Sequence, residues 1–123
     1  MFKTILLIES DEVLKDFFAR VFFIDGFEVL YLEEQKLIQT LSKKTINDID
    51  MVLIDDCDDP EAFSTELKDL MKTQSRTRNL PVLGVLKKGA DPELSHKYFD
   101  AVMIKDNFNI QLLTDLVERI INP

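Results

Sequence analysis

Cysteine and histidine are almost absent from this chain: Cys57 is the only cysteine and His96 the only histidine in 123 residues. A single thiol excludes an internal disulfide and any Cys-based zinc site, and a single imidazole removes most His-based catalytic and metal schemes. His96 reads as a surface helix residue. Glycine is scarce too, with three in all, and neither Gly-x-Gly-x-x-Gly nor Gly-x-x-x-x-Gly-Lys occurs. The common phosphate-cradling loops are therefore missing, and Lys87-Lys88-Gly89 is too short a signal to replace them. This disfavours a small enzyme or nucleotide binder. Positive charge is in deficit, with 15 Lys and Arg against 23 Asp and Glu, a net charge of −8 and a pI of about 4.6. Such a surface repels phosphate backbones, so no nucleic-acid binding by this domain is expected. It suits a carboxylate pocket, or docking on basic partners. No apolar run is long enough to cross a bilayer, and the stretch before Glu9 is too short for a signal peptide. A reducing, cytoplasmic setting without membrane contact is the expectation.

What is present is an alternation of two hydrophobic periods. Residues 5–8, Ile-Leu-Leu-Ile, are continuously apolar, as in a strand buried on both faces. Ser10 and Asp11 can cap the helix that follows over 12–23, and Gly26 suits its left-handed end. Strands are expected at 27–32, 51–54, 81–86 and 101–104. Helices are expected at 35–44, from Pro60-Glu61 onward, at 91–98 and at 109–121, the last with Leu113, Leu116, Val117 and Ile120 on one stripe. Five βα units in series imply an α/β fold: a doubly wound, five-stranded parallel sheet with helices on both faces, in one domain over 1–123.

Sites in such sheets lie beyond the carboxyl ends of the strands. Strand one ends in Glu9-Ser10-Asp11, strand three in Asp55-Asp56-Cys57-Asp58-Asp59, and strand five in Lys105-Asp106. Asp58, Asp59 and Glu61 read as caps and solvated turns. The acids of strands one and three would meet near the strand-five lysine, and gathered carboxylates need a cation, a proton or a lysine beside them. Mg2+ is the natural hard ion for oxygen donors.

Residues 5–12 resemble the first-strand acidic motif of response-regulator receiver domains. Residues 50–55 resemble their third strand, 79–86 their fourth and 101–105 their fifth. The likeness spans essentially the whole chain and rests on the order and spacing of motifs that are individually weak. It implies the flavodoxin/CheY-like (βα)5 fold and an aspartyl-phosphate switch of two-component signalling. On this resemblance Asp55 is the phosphoacceptor, Lys105 binds a phosphoryl oxygen, and Mg2+ is held by Glu9, Asp55 and the backbone carbonyl of Cys57. The implied partner is a histidine kinase, a phosphotransfer protein or an output protein.

The chain departs from the family pattern at several positions. Ser10 replaces the second carboxylate of the acidic pocket, and a hydroxyl is a poorer Mg2+ ligand. Asp11 could reach in but is better placed as a helix cap. Leu86 stands at the switch position, where the family has threonine or serine. Asp106 replaces the proline after the lysine, so no cis peptide is expected there. Pro60 lies five residues after Asp55 and four after Asp56, and four is the family habit, so Asp56 rivals Asp55. Four apolar residues between Asp50 and Asp55 favour Asp55. Leu86 and Lys105 are 19 positions apart, short for the family by about one helical turn. The expectation is a degenerate receiver with doubtful Mg2+ binding that acts through protein–protein contacts; a phosphorylatable receiver is the alternative.

The first helix is rich in phenylalanine. At about 100° per residue, Val13, Leu14, Phe17, Phe18, Val21 and Ile24 form one broad stripe read as core. Phe22 falls on its rim and Phe23 roughly opposite its centre, so Phe22 and Phe23 are the expected face for a partner or for a homodimer contact.

Overall fold

A computed structural model describes residues 3–9, 11–32, 49–55, 80–86, 89, 99–105 and 109–122. The elements are β1 (Lys3–Ile8), α1 (Glu12–Ile24), β2 (Phe27–Leu32), β3 (Met51–Asp55), β4 (Val82–Leu86), β5 (Ala101–Ile104) and a last helix, α2 (Ile110–Ile121). The expected helices over 35–44, after Pro60 and over 91–98 lie outside the described residues. All strand pairs are parallel, in the order β2-β1-β3-β4-β5. This is the doubly wound α/β order with β1, β3 and β4 in the interior.

The continuous apolar runs are explained by burial on both faces. Side chains alternate across a strand, so the sheet carries two apolar layers. One contains Leu6, Ile8, Val52, Ile54, Val82, Leu86 and Phe99. The other contains Ile5, Leu7, Met51, Leu53, Leu83 and Val85, covered by Phe18 and Phe22 of α1 and by Leu113, Val117 and Ile121 of α2. Two aspartates fix register at the opposite edge from the strand carboxyl ends. Asp50 accepts from the Thr4 amide at 2.7 Å and returns its own amide to the Thr4 carbonyl at 2.8 Å. Asp100 does the same with Val82, at 2.8 and 2.9 Å. Each locks an incoming strand to its neighbour before the apolar rows begin.

Helix α1 starts where Asp11 accepts from the amides of Val13 and Leu14 at 2.9 and 3.1 Å, a side-chain N-cap. It ends at Gly26, whose φ of 89° needs a residue without Cβ. Its buried face differs from the expected stripe. Phe18, Phe22 and Lys15 are buried, whereas Val13 and Ile24 are 77% and 82% exposed and Phe17 is also exposed. The face is turned by about 100°, one residue step. The physical reason is Lys15: its aliphatic stem lies in the interface while its Nζ reaches Glu12 at 3.2 Å, so a residue read as polar belongs to the buried stripe. Phe22 must accordingly be corrected from partner face to core. It is 0% exposed, with its ring centroid 6.2 Å from Phe18 and 6.4 Å from Phe27. Phe23 is 77% exposed.

Phe99 packs on Gly84 so closely that a Cβ there would stand 2.8 Å from its ring. Gly84→Ala is expected to destabilise the fold by about 1–3 kcal/mol, measured by urea unfolding, and adding Phe99→Leu should recover part of the loss. An unchanged midpoint in the single variant contradicts this packing.

Candidate functional site

Three side chains meet at the carboxyl edge of the sheet. The β1–β3 register matches Leu7 with Leu53 and Ile8 with Ile54, so its next row brings Glu9 beside Asp55. Lys105 follows β5 directly. In strand parity all three continue the rows of Ile5, Leu53 and Met103, on the face that α1 and α2 cover. The same alternation that builds the apolar layer therefore aims two carboxylates and one ammonium into a shared space.

Both acids are buried, Glu9 at 4% and Asp55 at 5% exposure. Lys105 Nζ lies 3.1 Å from Asp55 Oδ1 and 3.5 Å from Oδ2. The shorter contact is ionic without hydrogen-bond alignment, leaving Oδ1 without a hydrogen-bond partner. Glu9 Oε1 accepts from the Asp11 amide at 2.9 Å, while Glu9 Oε2 is buried with no hydrogen bond. Asp11 thus caps α1 with its side chain and holds Glu9 with its backbone. This tie was missed in the sequence; its signal is the Glu-x-Asp spacing ahead of the helix. Leu14, Phe17, Phe18 and Lys105 line a cavity of about 260 Å3 beside the ion pair.

Of the other expected site residues, Leu86 is in the opposite apolar layer, 3% exposed and in register with Ile104. Ser10, Asp56, Cys57 and Asp106 lie outside the described residues, as do His96, Lys87 and Lys88. Among the described residues no group of three or more metal-ligating side chains forms, and no helix is long and apolar enough to cross a membrane.

The electrostatics follow from burial. Desolvation first, then the adjoining Glu9 carboxyl and its negative charge, push the Asp55 carboxyl from an ordinary 3.8 up to about 8, against the lowering effect of Lys105. An acid raised in the folded state holds a proton that the unfolded chain releases. Stability therefore falls as pH rises from about 4 to about 8 and levels off above that. Asp55→Asn is expected to be more stable than the parent chain at pH 9, by on the order of a few kcal/mol. That advantage should shrink toward pH 4, as urea unfolding with a chelator present will show. A difference independent of pH contradicts the raised carboxyl.

No protein-family model matches the sequence, and no curated protein matches it. Solved structures do. A putative response regulator from Chloroflexus aurantiacus has a TM-score of 0.79 at 19% identity, with all of both chains covered. The receiver domain of a sensor histidine kinase from Pseudomonas aeruginosa, with a magnesium ion coordinated in its active site cleft, gives 0.77 at 17%, again over all of both chains. The chemotaxis protein CheY4 from Vibrio cholerae gives 0.75 at 15%, covering 98% of this chain and 99% of its own. At these identities the likeness is one of fold: the chain has the CheY-like fold of response-regulator receiver domains.

Proposed function

We propose that this chain is a receiver-type signalling module that works mainly through protein–protein contacts, with an acceptor pocket retained and the usual readout missing. The observation that carries this reading is Leu86. A phosphoryl group on Asp55 would need a hydroxyl at the end of β4 to follow it, and leucine has no group that can hydrogen-bond. Its side chain is also committed to the apolar layer with Leu6, Ile8 and Ile54. Rearranging it would expose a core residue, at a cost of about 1.5–3 kcal/mol.

In this reading Asp55 is the acceptor position, with Asp56 its rival, and Lys105 is the phosphoryl-oxygen contact. An Asp55 oxygen would attack the phosphorus of a phosphohistidine or small phosphodonor. The donor's P–N or P–O bond would break, and its electron pair would leave with the donor. Only the ionised carboxylate can do this; Lys105 at 3.1 Å favours that form, and a bound cation would have to offset the burial and the Glu9 charge that raise the Asp55 carboxyl to about 8. Glu9 Oε2 and Asp55 Oδ1, buried oxygens without hydrogen-bond partners, fit a hard divalent ion such as Mg2+. The Cys57 carbonyl is the third donor the resemblance implies. Mg2+ bound there would offset the charge of the two carboxylates and an incoming phosphoryl group. With Ser10 in place of an acid, the expected affinity is weak. The partner class is a histidine kinase, a phosphotransfer protein or an output protein in the cytoplasm, and the module itself is not an enzyme. A conventional Mg-dependent phosphoacceptor is the second reading, favoured by the Lys105–Asp55 contact.

Incubation with acetyl phosphate or beryllofluoride and Mg2+, followed by mass spectrometry and amide NMR, separates the two. The expected outcome is partial modification, with shifts confined to the surroundings of Asp55 and Lys105. Stoichiometric modification with shifts running through β4, β5 and α2 contradicts the uncoupled reading.

A further inference from the structure

One exposed, partly apolar surface of the described residues lies between α1 and β2. Among the described residues β2 is a terminal strand of the sheet, paired only with β1. Its sequence, Phe-Glu-Val-Leu-Tyr-Leu, is apolar apart from Glu28. Edge strands are normally guarded by lysine, proline, a bulge or a cover, because their unpaired amides and carbonyls template further pairing. β2 has neither lysine nor proline, and Glu28 is its one charge. α1 rises beside this edge, and the two elements enclose an open groove of about 480 Å3 lined by Asp16, Arg20, Phe23, Glu28, Val29 and Leu30, among others. Phe23 is 77% and Leu30 49% exposed.

We propose that this groove is a self-association surface, occupied by a second copy of the chain in an isologous dimer. The inference does not rest on the phosphoacceptor reading. Charge identifies the occupant. The chain as a whole carries −8, and a surface evolved for a basic partner would share that excess. This groove instead carries both signs, with Asp16 and Arg20 one turn apart on α1 and Glu28 on the edge strand, and among the described residues none of the three makes an ion pair. Such a patch is complementary to itself under two-fold symmetry, where residue i meets j and j meets i.

The geometry agrees. A two-fold axis normal to the sheet joins β2 to its copy antiparallel and extends five strands to ten, satisfying both open edges. It keeps both copies of α1 on one side of the joined sheet, running antiparallel. Phe18 and Phe22 seat α1 over Ile5, Leu7 and Phe27 of the β1–β2 pair. The two helices then lie about two strand spacings apart, ~10 Å, the ordinary distance for packed helices. Arg20 of one copy faces Asp16 of the other, and each Phe23 gains an apolar cover.

Sedimentation velocity over a concentration series tests this. The full chain is expected to form dimers, with concentration-dependent protection of β2 amides against hydrogen exchange. Phe23→Asp and Leu30→Lys change exposed residues and should each weaken the dimer by about tenfold or more. Arg20→Glu and Asp16→Lys should each weaken self-association, while a mixture of the two restores a heterodimer, because both ion pairs are then of opposite sign. A chain monomeric throughout the series overturns the proposal. So does a dimer indifferent to Leu30→Lys, which would use another face, and so does failure of the charge-swapped mixture to recover association.

Discussion

A carboxylate buried at the end of β3 is the constraint on which the site depends. Asp55 occupies a position that strand parity aims into a layer of Leu53, Val85 and Phe18, where an isolated charge would be costly. Two neighbours settle its state. Lys105 stands 3.1 Å away and favours the anion; Glu9, buried and tied to the Asp11 amide, favours the proton. The Asp11 cap that starts α1 is thus mechanically linked to the pocket. Shifting the start of the helix would release Glu9 and change the charge balance around Asp55.

Much of this was legible in the sequence. Continuous apolar runs followed by acids gave the parallel sheet, and the three strand-end residues Glu9, Asp55 and Lys105 do come together. Asp11 caps its helix and Gly26 ends it with positive φ. What the sequence concealed was the orientation of α1. Counting hydrophobic letters gave a stripe of Val13, Leu14, Phe17, Phe18, Val21 and Ile24, which leaves out Lys15 and its four-carbon stem. Once Lys15 is admitted to the buried face, Phe22 moves into the core and Val13, Phe17 and Ile24 move to the surface. The register clamps of Asp50 and Asp100 were also hidden, since an aspartate before a strand reads as an ordinary turn residue until its partner strand is known.

In the proposed reading, the retained and the missing parts of the site divide by strand. β1, β3 and β5 deliver the pocket, whereas β4 delivers Leu86 to the apolar layer on the opposite face, next to Ile104. In the proposed reading, a charge change at Asp55 has Lys105 to answer it, while Leu86 offers no hydroxyl to carry the response outward. The β2 edge, on the far side of β1, is independent of that chemistry. The dimer proposed there would not pass through Leu86.

The central claim is that Glu9 and Lys105 hold opposite control over a buried Asp55. The most direct measurement is the Asp55 side-chain carboxyl titration by carbon-13 NMR, with a chelator present, in the parent chain and two variants. The account expects titration near pH 8 in the parent, a higher midpoint in Lys105→Met, and a lower one in Glu9→Ala. An Asp55 that titrates in the ordinary carboxylate range near 4 and is unmoved by either substitution would contradict it.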